Sequence, residues 1–471
     1  MSLLKQVLNL VQGAVVVEAD EVAVINEVLL QEHIDEWVKL AVFGEGLERD
    51  LARSLIWESG QELGIYASSI HELYMAIGTG QVPSDFTVPA INIRGMNFNM
   101  SRAIFRAANN LNAGAILCEI ARSEIGYTSQ RPAEYISSVI GAAIKEGYRG
   151  PVFIQGDHFQ ISLKGYTKNP TKEVQAVKDL MKEAIEAGFY NIDIDTSTLV
   201  DLSYDELDEQ QRVNYELCAE LTAYTRELEP EGITVSLGGE IGEVGGHNST
   251  VEELHAFMQG YQRVLSSIHP DLQGISKISV QTGTSHGGVV LPDGTLAQVK
   301  VDFETLGELG RISRDTYGLG GAVQHGASTL PSEAFGKFPQ VGTVEIHLAT
   351  GFQNLIYDNA PQEVVDASYD YILQHHAHEW KTSQTEEQFL YKTRKKAFGP
   401  LKAQWWAIDK AVMSQIGEVL QAQFEFLFNQ LNIVNTLDVV RNTVTCVRQR
   451  RALPVVAQQE TILEIASDLA D

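Results

Sequence analysis

Two hydrophobic rhythms run along this chain, and their distribution divides it into three zones. Up to about residue 85, apolar positions such as Leu29, Ile34, Trp37, Val38 and Leu40 recur at helical spacing on an acidic background. The opening MSLLKQVLNLVQGAVVVEAD reads as an amphipathic helix entering a strand. With a single Lys, and an apolar run broken by Asn9, Gln12 and Gly13, that reading fits better than a signal peptide. The zone ends at GTGQVPSD, whose Gly, Pro, Ser and Asp mark a linker. Beyond about residue 361 the pattern is helical again, with aromatic-rich KAFGPLKAQWWAIDKAV and QAQFEFLFNQL. Trp and Phe at helical spacing are expected to pack, or to form an interface or a lid, rather than to bind a cofactor.

The middle zone has a different rhythm. Short β-rich runs alternate with longer segments of helix periodicity such as VQAVKDLMKEAIEAGF and VEELHAFMQGYQRVL. The runs are VPAINIRG from Val88, GAILCEI from Gly114, PVFIQGDH from Pro151, NIDIDTS from Asn191, ITVSLGGE from Ile233, SKISVQTG from Ser276, GGAVQHG from Gly320 and GTVEIHLAT from Gly342. They show little polar alternation, as expected of parallel strands buried on both faces. Eight such units in about 270 residues predict an α/β fold, a (β/α)8 TIM barrel. A doubly wound open sheet is the alternative, but no GxGxxG opens a helix after the first strand. The expected organisation is a helical extension over 1–85, the barrel over 86–360 and a second helical extension over 361–471.

Charge and composition narrow the partners. A net charge of −27 over 471 residues repels nucleic acid and anionic lipid. Three cysteines, Cys118, Cys218 and Cys446, lie far apart with no CxxC pair, so neither a disulfide framework nor a thiolate metal site is expected. A reducing cytoplasm is the expected location. No apolar stretch reaches bilayer length.

The polar residues sit where a barrel would use them. Expected strands end in Asp157 and His158, in Asp195, in Glu240, in Gln281 leading to His286 and Gly287, in His325 and Gly326, and in His347 and Thr350. Such C-terminal ends converge on one face of a barrel. His158, His286 and His325 could then share a metal, three imidazoles with an open fourth position being a catalytic Zn2+ donor set. Glu240 could fill or vacate that position. Asp157 adjoins His158, and neighbours on a strand face opposite ways, so both reach the mouth only if the backbone leaves the strand, which Gly156 would permit. Each residue alone also reads as an ordinary loop or hydrogen-bonded side chain, His347 included. Gly287, Gly326, Ser328 and Thr350 follow the last strands, where barrels bind phosphate. Ser328 or Thr329, ahead of Pro331 and Glu333, reads equally as a phosphate-binding helix start or as plain N-capping.

GDHF at 156–159, NIDIDTS at 191–197, GGEIGEVGG at 238–246, TGTSHGG at 282–288, VQHGAST at 323–329 and HLAT at 347–350 resemble, in order, the motifs of class II metal-dependent ketose-bisphosphate aldolases, the fructose- and tagatose-bisphosphate type. KKAFGPLKAQ at 395–404 is a weaker echo. The resemblance implies one Zn2+ per chain on His158, His286 and His325, with Glu240 as fourth or alternate ligand. The metal would polarise a ketone and stabilise an enediolate, with dihydroxyacetone phosphate as product. Asp157 would relay a proton at the aldehyde oxygen. Gly287, Gly326, Ser328, His347 and Thr350 would meet the phosphate, and the backbone of the TGTSHGG loop a monovalent cation. The implied partners are a phosphorylated sugar in glycolysis-type carbohydrate metabolism and further copies of the chain, in a homodimer or higher homo-oligomer.

The sequence also departs from that family. Its proton-abstracting Glu after GEVGG is replaced by His247 and Asn248, and Asn cannot serve as a base, so His247, Glu243 or another group must. The family's Asn in the last motif is His347, and its second Gly after the metal-binding His is Ala327. No expected strand ends in Lys, Lys277 standing at the start of the sixth, which disfavours Schiff-base chemistry. The alternative to a lyase is a non-catalytic sugar-phosphate-binding paralogue. A metal hydrolase fits less well, since no HxH pair ends the first strand.

Overall fold

The computed structural model describes residues 2–19, 21–242, 246–283 and 300–454. Near the start, β1 (Val15–Glu18) and β2 (Glu21–Val24) pair as an antiparallel hairpin beside the helix Leu3–Asn9. Helices Glu27–Phe43 and Gly46–Glu62 follow, the first capped by the Asn26 side chain, which accepts from Leu29 N at 3.0 Å. A short strand the periodicity did not reveal, β3 (Ile65–Ser68), comes next.

Eight parallel strands then close on themselves: β4 (Val88–Asn92), β5 (Leu117–Ala121), β6 (Gly150–Gln160), β7 (Asn191–Asp195), β8 (Ser236–Glu240), β9 (Lys277–Val280), β10 (Ala322–Gln324) and β11 (Glu345–Leu348). Each pairs with its successor, and β11 returns to β4 with Glu345 opposite Val88. The expected (β/α)8 barrel is borne out, and every one of the eight runs supplies one strand. All strand positions except His158 and Gln160 of β6 are buried, which explains the absence of polar alternation. β3 lies outside the ring and pairs with the first half of β6, Ile65 opposite Gly150. Asn191 secures that junction: its amide donates to Ser68 O and Ile154 O and its carbonyl accepts from Ile70 N.

The apolar core is continuous from Leu4 to Leu453. Trp37, Ile34 and Val38 of the N-terminal zone are fully buried, Val38 against the helix Pro132–Lys145. In the C-terminal zone the helix Lys410–Gln430 sets Phe424 4.9 Å from Phe352, and Trp405 packs against both Tyr357 and Phe398. The aromatic tail segments therefore pack, as expected. A small separate cluster, Ile372, Phe389, Leu390 and Ala397, holds residues 372–397 together. Among the described residues no helix is long and apolar enough to cross a membrane.

Candidate active site

One local feature of β6 sets up the site. Gly156 pairs with Ile192 and Phe159 with Ile194, so Asp157 and His158 together face the single residue Asp193. Two residues against one is a β-bulge. It puts His158 at φ 40°, in the left-handed region. Asp157 and His158 thus both reach the mouth without the chain leaving the strand, because β6 re-enters the ladder through Gln160 opposite Asp195. The expectation that both reach the mouth only if the backbone is already leaving the strand is corrected here. Gly156 makes room instead: a Cβ on it would lie 2.4 Å from the Phe159 ring.

Around His158 the strand ends converge. Its Nδ1 lies 3.1 Å from Asp195 Oδ2 and 3.5 Å from Glu240 Oε2, and its Nε2 3.7 Å from Asp157 Oδ1. His325 stacks beside it, ring centroids 4.3 Å apart, with Nε2 3.0 Å from Ser279 Oγ and 4.0 Å from Glu240 Oε2. Donor atoms on one tetrahedral Zn2+ lie about 3.4 Å apart. The paired rings of His158 and His325, with Glu240 Oε2 4.0 Å from His325 Nε2, form a donor set that could hold such an ion after side-chain adjustment. Burial opposes a charge on the His158 ring, but Asp157, Glu240 and Asp195 outweigh it and hold its pKa well above the usual histidine range. Asp195 moves the other way: burial would raise it, yet hydrogen bonds from His158, Ser197 and Gln160 keep it low.

Beneath this layer lies an ionic network that strand-end reasoning missed. Lys277 is fully buried inside the barrel, its Nζ 2.8 Å from Asp193 Oδ1, 2.6 Å from Glu345 Oε1 and 2.7 Å from Gln155 Oε1. Tyr74 donates its hydroxyl to Glu345 Oε2 at 2.5 Å. Burial would raise Glu345, but Lys277 and His347 hold it down at about 2. His347 sits between the network and the mouth, its ring 4.0 Å from that of His325. Its Nε2 is 2.7 Å from Glu345 Oε1, and its Nδ1 is 3.0 Å from Glu119 Oε2 and 3.2 Å from Asp157 Oδ1. Glu119 is pushed up to about 7, by burial first and then by Asp157. The available signal for these residues was a charged side chain inside an otherwise apolar strand, as in LCEIA and KISV.

The mouth opens into a cavity of about 360 Å³ lined by Asn92, Arg94, Glu119, Asp157, His158, His325, Gly326, Ser328, His347, Thr350 and Gln353. Gly326 takes φ 70°, a turn a side chain would strain, and Ser328 Oγ accepts from Ala349 N. The helix expected from Ser328 or Thr329 onward is instead a pair of short 3-10 turns, Ala327–Thr329 and Ser332–Ala334, interrupted at Pro331. The helix that brings its N-terminus to the cavity is Thr350–Asn359. Its first-turn N–H groups and positive dipole end suit an anion. Arg94 stands next to it, Nε 2.6 Å from Glu124 Oε1 and Nη1 3.2 Å from Gln353 Oε1.

The far wall comes from the C-terminal zone: Ser383, Gln384, Gln388, Tyr391, Lys392 and Lys395 line the same cavity. Lys395 is lowered to about 8, first by burial and then by Arg94. Strand-end reasoning found no lysine at the mouth, and these two arrive from a helical segment instead.

The structure therefore brings together Asp157, His158, Glu240, His325, Gly326, Ser328, His347 and Thr350. His347 turns both ring nitrogens to carboxylates rather than toward Ser328 and Thr350. His247 is not among the cavity-lining residues: its side chain is 48% exposed, with Nε2 3.1 Å from Glu253 Oε1 at the start of the helix Val251–Ile268. Asn248 donates to Asp302 Oδ2 at 3.0 Å. His286 and Gly287, the rest of the loop assigned to a monovalent cation, and Glu243 lie outside the described residues.

A structure of a probable tagatose 6-phosphate kinase from Sinorhizobium meliloti 1021 is similar at TM-score 0.51 and 14% identity, over 80% of this chain and 98% of that one. That likeness speaks to the fold. A fructose-bisphosphate aldolase from Campylobacter jejuni matches at TM-score 0.46 and 16% identity over 79% and 96% of the two chains. The YdjI aldolase from Escherichia coli K12 matches at 0.41 and 16% over 73% and 99%. A comparison with curated proteins returns no match. The family model described as fructose-bisphosphate aldolase class-II matches residues 82–417, spanning the barrel and the wall that covers its mouth. The chain therefore belongs to the class-II fructose-bisphosphate aldolase family, as a divergent member.

Proposed function

We propose that this chain is a metal-dependent aldehyde-lyase that makes or breaks the C–C bond next to the carbonyl of a phosphorylated ketose, with dihydroxyacetone phosphate as one product. The observation that carries the reading is the convergence of His158, His325 and Glu240 at the barrel mouth, the two rings 4.3 Å apart and Glu240 Oε2 4.0 Å from His325 Nε2. Those residues, with His286, would hold one Zn2+, which when bound supplies Lewis acidity to a ketone oxygen. Asp195 orients the His158 ring from behind at 3.1 Å. Asp157 exchanges a proton with the hydroxyl that becomes the aldehyde, general acid–base work worth about 10²–10⁴-fold in rate. Gly326, Ser328 and Thr350 receive the phosphate at the N-terminus of Thr350–Asn359, together with Gly287. His247 is the candidate acceptor for the carbon-bound proton, since Asn248 cannot take one. The wall from Ser383 to Lys395 excludes water from the enclosed substrate.

One observation favours a second reading, a sugar-phosphate-binding paralogue without turnover. His247 faces Glu253 and Asn248 is engaged by Asp302, so the position of the family base is taken up by a packing arrangement. Screening ketose mono- and bisphosphates for triose release separates the two. The lyase reading expects release that is lost with Asp157→Asn; tight binding of a ketose phosphate with no product from any of them selects the paralogue.

A further inference from the structure

We infer that the barrel holds a second divalent-cation site, formed by Glu119, Asp157 and His347 beside the His158–His325 site. The inference goes beyond the function proposed above and shares only Asp157 with it.

The tautomer of His347 is the first argument. Its Nε2 lies 2.7 Å from Glu345 Oε1, and Glu345 is itself fixed by Lys277, Gln155 and Tyr74. A metal-bound histidine characteristically donates its other ring N–H to a carboxylate, which leaves a lone pair on the ligating nitrogen. Here that nitrogen is Nδ1, buried and aimed between Glu119 and Asp157. It has no hydrogen-bond partner of its own, with Glu119 Oε2 at 3.0 Å and Asp157 Oδ1 at 3.2 Å. The three ligand atoms lie within 4.8 Å of one another. Spacings of 3.0 and 3.2 Å to Nδ1 approach the ~3.4 Å between donors on one tetrahedral ion.

Charge is the second argument. Glu119, Asp157, Asp193, Asp195, Glu240 and Glu345 are each no more than 7% exposed, and among the described residues Lys277 is the ammonium buried with them. Carboxylates removed from water need a counter-charge. Access is the third argument, since Glu119, Asp157 and His347 all line the 360 Å³ cavity. Two carboxylates and an imidazole suit Mn2+ or Zn2+. Asp157 Oδ1 lies between the two sites, 3.2 Å from His347 Nδ1 and 3.7 Å from His158 Nε2. Binding a cation through that oxygen leaves the other for proton exchange.

The test is metal stoichiometry on the full chain, stripped with chelator, reloaded separately with Zn2+ or Mn2+ and dialysed. Wild type is expected to retain two equivalents, and Mn2+-loaded protein to give the electron paramagnetic resonance signature of two coupled ions. Glu119→Gln, which is isosteric, and His347→Asn should each retain one, with circular dichroism reporting the fold; if His347→Asn does not fold, Glu119→Gln decides. One equivalent in wild type that disappears in His325→Ala and persists in Glu119→Gln overturns the second site and leaves the first standing. A His325→Ala chain that keeps all its metal while Glu119→Gln loses its share upholds the second site and sinks the first.

Discussion

At the level of single residues, the bulge in β6 is the sharpest link between sequence and chemistry. It lets adjacent Asp157 and His158 share one face, and it depends on the missing side chain of Gly156. Gly156→Ala is therefore expected to destabilise by about 1–3 kcal/mol through overpacking against Phe159 and to weaken metal retention by displacing His158. Thermal melting and metal content check both effects; a variant that melts and binds like wild type would contradict the role assigned to Gly156. Asp157→Asn should fold normally and lose about 10²–10⁴-fold in kcat, and unchanged turnover would remove it from proton transfer. A third expectation concerns His71, lowered to about 4 by burial and then by Arg226. The folded state favours its neutral form, so its stabilising contribution is complete above the ordinary value near 6.5 and is lost as pH falls from there toward 4. Up to about 3 kcal/mol is involved. Replacing it with Gln should flatten the fall in unfolding free energy over that window; an unaltered slope would argue otherwise. Glu240 and His325 were legible in the sequence because each stands at a strand's end beside a turn, and His158 because it follows a glycine near the end of an apolar run. Glu119, Glu345 and Lys277 were not, because a charge inside an apolar run names no partner. Lys277 finds its own 68 residues away in Glu345 and 122 away in Gln155.

At the level of elements, all eight barrel strands could be located from apolar runs, since parallel strands buried on both faces leave a strong one-dimensional signal. β3 escaped notice because IYAS is only four residues long and is stabilised by β6, far along the chain. The helix expected after Ser328 failed for a local reason, the break at Pro331. The helical character of the C-terminal zone was readable, but its position over the mouth is a matter of tertiary packing. That wall has its own small core, in which Phe389 stacks on Trp380 at 5.1 Å. Phe389→Ala is expected to loosen the wall by about 3–5 kcal/mol while the barrel melts as before, raising KM for the enclosed substrate. A drop in the global melting temperature with unchanged KM would show that this cluster serves the whole fold instead.

At the level of the molecule, the chain concentrates carboxylates inside a closed barrel and sets imidazoles beside them, the grouping on which the proposed metal binding rests. Metal binding should then stabilise the native state by about 2.7 kcal/mol at a hundred times the dissociation constant, visible as a metal-dependent melting temperature. The lysines at the mouth sharpen the mechanistic choice, because Lys395, near 8, is a better amine nucleophile than an ordinary lysine. The most direct measurement follows triose release from ketose phosphates before chelation, after it, and after Zn2+ is restored, with borohydride added to a parallel sample. Release that stops on chelation, returns with Zn2+ and is accompanied by no covalent trapping is the expected result. Cleavage by the metal-free chain, or a substrate-derived adduct trapped on a lysine, would contradict it.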